Sequence, residues 1–280
     1  INSPLQLDVI MSEVLLTLAK NGQPFVAANC AMAGSTSPMT LAGTMATTNA
    51  EILSCIAVTQ MINPGTPVVY ASQTTTVDMR TGQIACGAPE GALCYKYTAN
   101  LAKFYGLPCR GGGAVTDAKV VDAQSGYESM MTLMADYANH MNLIIHSAGI
   151  LDGYGSTSYA KIIQDFEIVR YVTRFFKDIE VNEDTIPMDL IKEVGHNGEY
   201  LTKEHTFLHC KTEAVNPTIS SRGRVEDPVH ILDKKIEQRY NQLMDKYEQP
   251  VLDGALLTKI KDILSAQGVD RALLDKIETM

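Results

Sequence analysis

Three glycines in a row, Gly111, Gly112 and Gly113, stand two residues before "TDAK" and shortly before the polar positions Asp122, Gln124 and Glu128. Backbone without side chains lets a ligand or a large cofactor come close, and a crowded corner or a bulge demands the same residues. Among the neighbouring polar groups, Asp117 and Gln124 are the candidates to line a site. Asp122 fits a helix cap, and Glu128 a solvated or paired position. A second candidate is His146, at the end of the apolar run "NLIIHSAG". It is either a catalytic group at a strand end, where barrel enzymes place them, or a satisfied core histidine. Tyr70, Tyr127 and Tyr154 carry ring faces that attract a cation by ~1–2 kcal/mol once desolvated, and tyrosines serve equally as packing elements. Asp78 and Arg80 in "VDMRTG" either pair with each other or leave the guanidinium to receive a carboxylate bidentately. Glu90 follows Pro89, where an acid also offsets a helix dipole.

Other motifs point away from chemistry. The glycine run does not match GxGxxG, and no Lys-Ser/Thr follows at P-loop spacing. His205 and His209 are four apart, but there is no HExxH and no third ligand in register, so no metal is expected.

The groups above must be held by elements, and the chain alternates between two kinds. "PFVAANC", "TPVVYAS", "LPCRGG" and "NLIIHSAG" read as buried strands. Each leads into a polar loop and then a helix, over about 40–61, 89–105, 122–140 and 159–177. Four successive strand–loop–helix units predict parallel strands with helical crossovers. The loop after each strand is the long polar one, so chemistry belongs beyond the strands' C-terminal ends. Ahead of them, residues 3–22 carry apolar residues at helical spacing and end in Asn-Gly. After residue 178 the pattern is helical, with a last pair from about Leu252 to the end. The expected fold is α/β, of TIM-barrel type, with about four (β/α) units of a larger barrel in 1–178 and helices packed on them in 179–280. An open four-stranded sheet is the alternative.

Composition sets outer limits. With 280 residues, 45% of them hydrophobic, and a formal net charge of −9, the chain can bury a core and lacks the basic clusters that bind nucleic-acid phosphates. Six scattered cysteines without a CxxC suit reduced thiols in a cytoplasm. No apolar run approaching the ~20 residues of a membrane span is read, and no signal peptide. The opening Ile1 suggests a processed product or a partial chain.

An ordered set of motifs resembles the trimethylamine methyltransferase superfamily: "SPMTLAGTMATTNAEIL", "PGTPVVYAS", "DMRTG", "GAPE", "YGLPCRGGG", "TDAK", "DAQSGYE", "HSAG", "DFEI", "IKEVG" and "YLTKEHT". The resemblance implies a TIM barrel with an N-terminal portion not represented here, and transfer of a methyl group from a methylated amine to a corrinoid protein. The archaeal trimethylamine enzymes place a pyrrolysine at the position matched by Val115. An aliphatic residue there makes the sequence similar to the homologues without pyrrolysine, some of which demethylate quaternary amines such as glycine betaine. On that reading His146 and Asp117 are catalytic, and Tyr70, Asp78, Arg80, Glu90, Gln124, Tyr127 and Tyr154 bind substrate. The DxHxxG of cobalamin-binding proteins is missing, so no cofactor is held permanently and the corrinoid comes on a cognate partner protein. A homo-oligomer is compatible with the sequence; nucleic acid and membrane are not expected as partners. The rival readings are a non-amine methyl donor on the same fold, or a non-catalytic module that docks a corrinoid protein.

Overall fold

The computed structural model describes residues 1–249 and 253–277. It divides into two compact units, Ile1–Tyr240 and Asn241–Met280. In chain order the elements are α1 (Val9–Lys20), β1 (Phe25–Asn29), β2 (Met32–Ala33), α2 (Leu41–Ile62), β3 (Val68–Ser72), β4 (Thr75–Val77), β5 (Ile84–Ala85), α3 (Pro89–Phe104) and β6 (Cys109–Gly111). There follow α4 (Ala123–Ala138), β7 (Leu143–Ile144), β8 (Ile150–Leu151), β9 (Ser156–Thr157), α5 (Tyr159–Phe175), α6 (Met188–Val194), α7 (Glu204–Glu213), α8 (Ile231–Met244), α9 (Gly254–Ala266) and α10 (Arg271–Ile277).

β1, β3, β6 and β7 form one parallel sheet in sequence order, with α2, α3 and α4 as the crossovers. This is the layout of part of a (β/α) barrel. The register sets Ala27 beside Tyr70 and Tyr70 beside Cys109, and these three sit with Phe25, Val68, Ile52, Tyr95, Ala99 and Ala102 in one buried cluster between sheet and helices. Each large apolar side chain so buried is worth ~1.5–3 kcal/mol. A second cluster, with Ala114, Leu133, Ile168 and Val172, joins α4 to α5.

The sheet differs from expectation at its polar margins. Residues 73–87 are not a plain loop, because β4 and β5 pair antiparallel there and β2 pairs parallel with β4. Thr75 and Thr76 are buried in this second sheet, and Thr74 just ahead of it. The strand expected over "NLIIHSAG" stops at Ile144, since His146 turns to φ 59. The N-terminal helix begins only at Val9, where the Asp8 carboxylate accepts from Met11 N.

α2 corrects the reading of the chain's apolar runs, for its 22 residues are long and apolar enough to cross a bilayer by length and composition. In this fold it is a crossover helix lying on the sheet. Its buried Glu51 accepts from Asn29 Nδ2 at 2.6 Å, Ser3 Oγ at 2.8 Å and Leu5 N at 2.8 Å, tying the N-terminal segment to the end of β1. The first unit extends past residue 178 to Tyr240, because the Glu167 carboxylate on α5 takes the backbone N–H groups of Thr218 and Ser220, and Ile163 packs with Ile219 and Ile236. In the second unit α9 starts at an Asp253 cap and packs on α10. The expected start of this pair at Leu252, and its last residues 278–280, lie outside the described residues.

Candidate active site

Four parallel strands send their C-terminal ends the same way, and the loops after β1, β3, β6 and β7 meet there. Alternation along β6 puts Cys109 in the helix-side core and turns Arg110 to the opposite face with its register partner Ala71. Arg110 is 6% exposed. Its Nη1 donates to Gln73 Oε1 at 3.3 Å, and its Nη2 lies 3.0 Å from His146 Nδ1. A guanidinium only donates, so His146 Nδ1 accepts and the imidazole proton sits on Nε2. Burial, and after it the Arg110 charge, hold the His146 pKa below its ordinary value. The ring is therefore neutral at physiological pH. Tyr154 stands edge-on to it, ring centroids 5.1 Å apart. Its hydroxyl and Arg110 Nε are both buried without a hydrogen-bond partner.

His146, Asp152 and Tyr154 all have positive φ, at 59°, 53° and 76°. Non-glycine residues reach this region at a cost that surrounding contacts must offset, and such strain gathers at functional sites. Gln73 is fixed in turn by the Tyr95 hydroxyl, which accepts from its Nε2.

The glycine triplet meets a different neighbour at each position. A Cβ on Gly111 would overlap the Asp136 carboxylate, and one on Gly112 the Tyr95 hydroxyl and the Gln73 amide. At Gly113, with φ 86, it would strike the Ile145 carbonyl. Asp136, on α4, is wholly buried, and its Oδ2 accepts from Gly113 N at 2.7 Å. Burial pushes its pKa up to about 7, opposed by the Gly113 N–H and by Arg110.

The carboxylates of the third loop act on backbone. Asp117 accepts from Cys86 N at 2.9 Å and Gly87 N at 2.8 Å, holding the segment that enters α3. Burial raises its pKa. Glu128 takes the paired alternative and is buried. It accepts from Thr116 Oγ1 at 2.6 Å, Asp117 N at 2.8 Å and Gln124 Nε2 at 2.9 Å. Asp122 is the expected cap, in a reciprocal pairing with Ser125.

The structure thus gathers only some of the expected residues. His146 and Tyr154 lie together at the strand ends, with Asp117 and Gln124 in the clamp beside them. Tyr70 points the other way, into the helix-side core, where its hydroxyl donates to Asn49 Oδ1 at 3.0 Å. Tyr127 is 62% exposed on α4, and Glu90 is an exposed acid in the first turn of α3. Asp78 and Arg80 occupy the exposed β4–β5 turn, where the Asp78 carboxylate takes the Arg80 backbone N–H at 2.8 Å rather than its guanidinium. Among the described residues no cluster of three His, Cys, Asp or Glu side chains could hold a metal.

With this geometry in place, comparison with known proteins decides the family. A family model described as trimethylamine methyltransferase matches residues 1–268. The chain belongs to the trimethylamine methyltransferase family. It is 41% identical to a glycine betaine methyltransferase of Desulfitobacterium hafniense strain Y51, over 95% of this chain and 56% of the relative. It is 33% identical to a proline betaine:corrinoid methyltransferase of Eubacterium limosum, over 94% and 55% of the two. A trimethylamine methyltransferase of Methanosarcina barkeri is 38% identical over 73% of this chain and 41% of its own. The chain spans about half the length of the curated relatives it matches.

Within this trimethylamine methyltransferase family member, Val115 is fully buried and its carbonyl accepts from Thr132 Oγ1 at 3.4 Å. Sequence reading passed over Arg110, Gln73, Tyr95 and Asp136. Arg110 did leave a signal, for it is the one charge inside a buried parallel strand, where near-continuous apolar residues are the rule.

Proposed function

We propose that the protein is a methyltransferase that moves a methyl group from a quaternary amine to the cobalt of a corrinoid carried by a partner protein. The observation that carries this reading is at residue 115, where a buried valine offers neither a nucleophile nor an acid. A quaternary ammonium needs neither. As the methyl carbon accepts an electron pair from reduced cobalt, the C–N pair returns to nitrogen and the amine departs neutral. A tertiary amine would have to be protonated first or held as an adduct.

The residues at the strand ends agree with that division of labour. His146 stays neutral beside Arg110, so it orients rather than protonates. The Tyr154 ring offers the cation a quadrupole. Catalysis then consists largely of holding the C–N bond in line with the incoming cobalt, which alignment alone accelerates greatly. The names of the betaine relatives support the same donor class, and the proline betaine enzyme's name supports the corrinoid acceptor.

The test is methyl transfer by the full protein to a cob(I)alamin, free or on a cognate corrinoid protein, with glycine betaine, proline betaine, carnitine and trimethylamine offered in parallel. Methylation from at least one quaternary amine and not from trimethylamine is expected. Turnover of trimethylamine alone, or of none of the four by a folded protein, overturns the proposal.

A further inference from the structure

A buried ion pair on α5 takes no part in the chemistry of the strand ends, yet its contacts run to two of the turns that build them. Lys161 and Asp165 stand one helical turn apart, and neither side chain is exposed. Asp165 gives one carboxylate oxygen to Lys161 Nζ and the other, at 2.8 Å, to the backbone N–H of Gly149. Gly149, at φ 88, ends the turn that starts at His146, and a Cβ there would meet Ile162 Cγ1 of the same helix at 2.8 Å. Lys161 Nζ also donates to Ser129 Oγ on α4 at 2.9 Å, and that hydroxyl donates in turn to the Ala114 carbonyl at 3.2 Å. Ala114 lies between Gly113 and Val115. Two turns from different strands are thus fastened to one pair of charges, the 113–115 turn through Lys161 and Ser129, the 146–149 turn through Asp165.

Stability does not account for the pair. Taking two charges out of water offsets much of what their attraction returns, and apolar residues of similar volume often pack in such a place as well or better. Burial pushes the Asp165 carboxyl up to about 6 and the Lys161 ammonium below its ordinary value, so both charged forms are held against their surroundings. What an apolar pair cannot supply is the directed bonds to Gly149 N–H and to Ser129. We propose that Lys161 and Asp165 are positioning residues, which set His146 against Arg110 and hold the turn that carries Val115, acting through the two turns and never touching the ligand. The effect on rate rests on the methyl-transfer reading, and the effect on His146 rests on the turns alone.

Lys161→Met alone strands a buried carboxylate, so the test uses paired replacements in the full protein. Lys161→Met with Asp165→Leu removes both arms, and Lys161→Met with Asp165→Asn keeps an oxygen for Gly149 N–H. Three quantities are compared with the parent: the urea unfolding midpoint, kcat and KM for methyl transfer from glycine betaine to cob(I)alamin, and the NMR titration of the His146 imidazole, identified by its absence in His146→Gln. With Leu at 165 the midpoint should stay near the parent's while kcat falls about 100-fold, the loss expected of a misplacement of about 1 Å, and KM changes little. The His146 pKa, held down by burial and by the Arg110 charge, should rise toward the ordinary value of about 6.5 as the ring leaves the guanidinium. With Asn at 165 the His146 titration should stay as in the parent and the loss of rate should be smaller. Parent-like kcat and His146 titration in the Leu pair overturn the positioning role. So does a loss of kcat that follows a lowered midpoint equally in both pairs with His146 unmoved. A shifted His146 in the Leu pair, when the parent transfers no methyl group from any of the four amines, keeps the positioning role and sinks the methyl-transfer reading.

Discussion

Asp136 gives the structure a sharp test through pH. Its carboxyl is wholly buried under the glycine run, with one oxygen on the Gly113 N–H and the other without a partner. An aspartate in an unfolded chain titrates near 3.9, and in the fold this one is pushed up to about 7. Below pH ~4 both states hold the proton and the group contributes nothing. Between ~4 and 7 the unfolded chain gives its proton up while the folded one keeps it, so stability falls as pH rises. Above 7 the whole penalty is present. A gap of about three pH units, at ~1.4 kcal/mol each, makes it roughly 4 kcal/mol.

Asp136→Asn removes the titration and keeps an oxygen for Gly113 N–H. Urea unfolding of parent and variant at pH 4.5, 6, 7.5 and 8.5 reads the difference directly, because every other titrating group is common to both. The variant should gain on the parent by about 2–4 kcal/mol across that range, with the gain levelling off above pH 7. Had Asp136 been the ionised partner of Arg110, its pKa would be depressed and the parent would win as pH rises. A flat difference, or one of that opposite sign, refutes the reasoning.

Two further substitutions probe the same region. Gly111→Ala drives a Cβ into the Asp136 carboxylate in a strand that cannot yield, and should cost about 3 kcal/mol or more by urea unfolding. Adding Asp136→Ala should recover a good part of that, and a strictly additive double variant would count against the clash. Lys161→Met strands Asp165, which shares a fully buried ion pair with Lys161 and also takes Gly149 N at 2.8 Å. A loss of roughly 3–5 kcal/mol is expected, smaller when Asp165→Leu is added, as the same unfolding measurement would show.

The sheet was legible because buried parallel strands leave a strong trace. Four short apolar runs, each bounded by turn residues and followed by a long helix, have few competing explanations. β2, β4 and β5 left none, since two or three residues cannot display a period and the threonines of β4 read as a polar loop. The site was harder for a different reason. Standing at a strand end does not decide which face a side chain takes; parity does, and parity needs the register. Tyr70 and Arg110 are both on strands of the same sheet, yet Tyr70 shares the helix-side face with Cys109 and Arg110 does not. Asp136 was hidden similarly, because an acid on a helix reads as solvent-facing until the strand packed against it is known.

The glycine triplet shows how these two faces divide the work. Close approach of a ligand and a crowded corner were equal explanations for bare backbone there. Each missing Cβ turns out to be excluded by the protein itself: Asp136 at Gly111, Tyr95 and Gln73 at Gly112, and the Ile145 carbonyl at Gly113. No ligand is needed to account for any of them. What the glycines permit is the tight seating of Gln73 and of the turn leading to His146, and those two side chains are the ones that hold the Arg110 guanidinium. The run therefore serves the site at one remove. It lets the loops close on Arg110 from both sides, so a substitution at Gly112 should act on the site through the arginine's position rather than by blocking a path to the backbone.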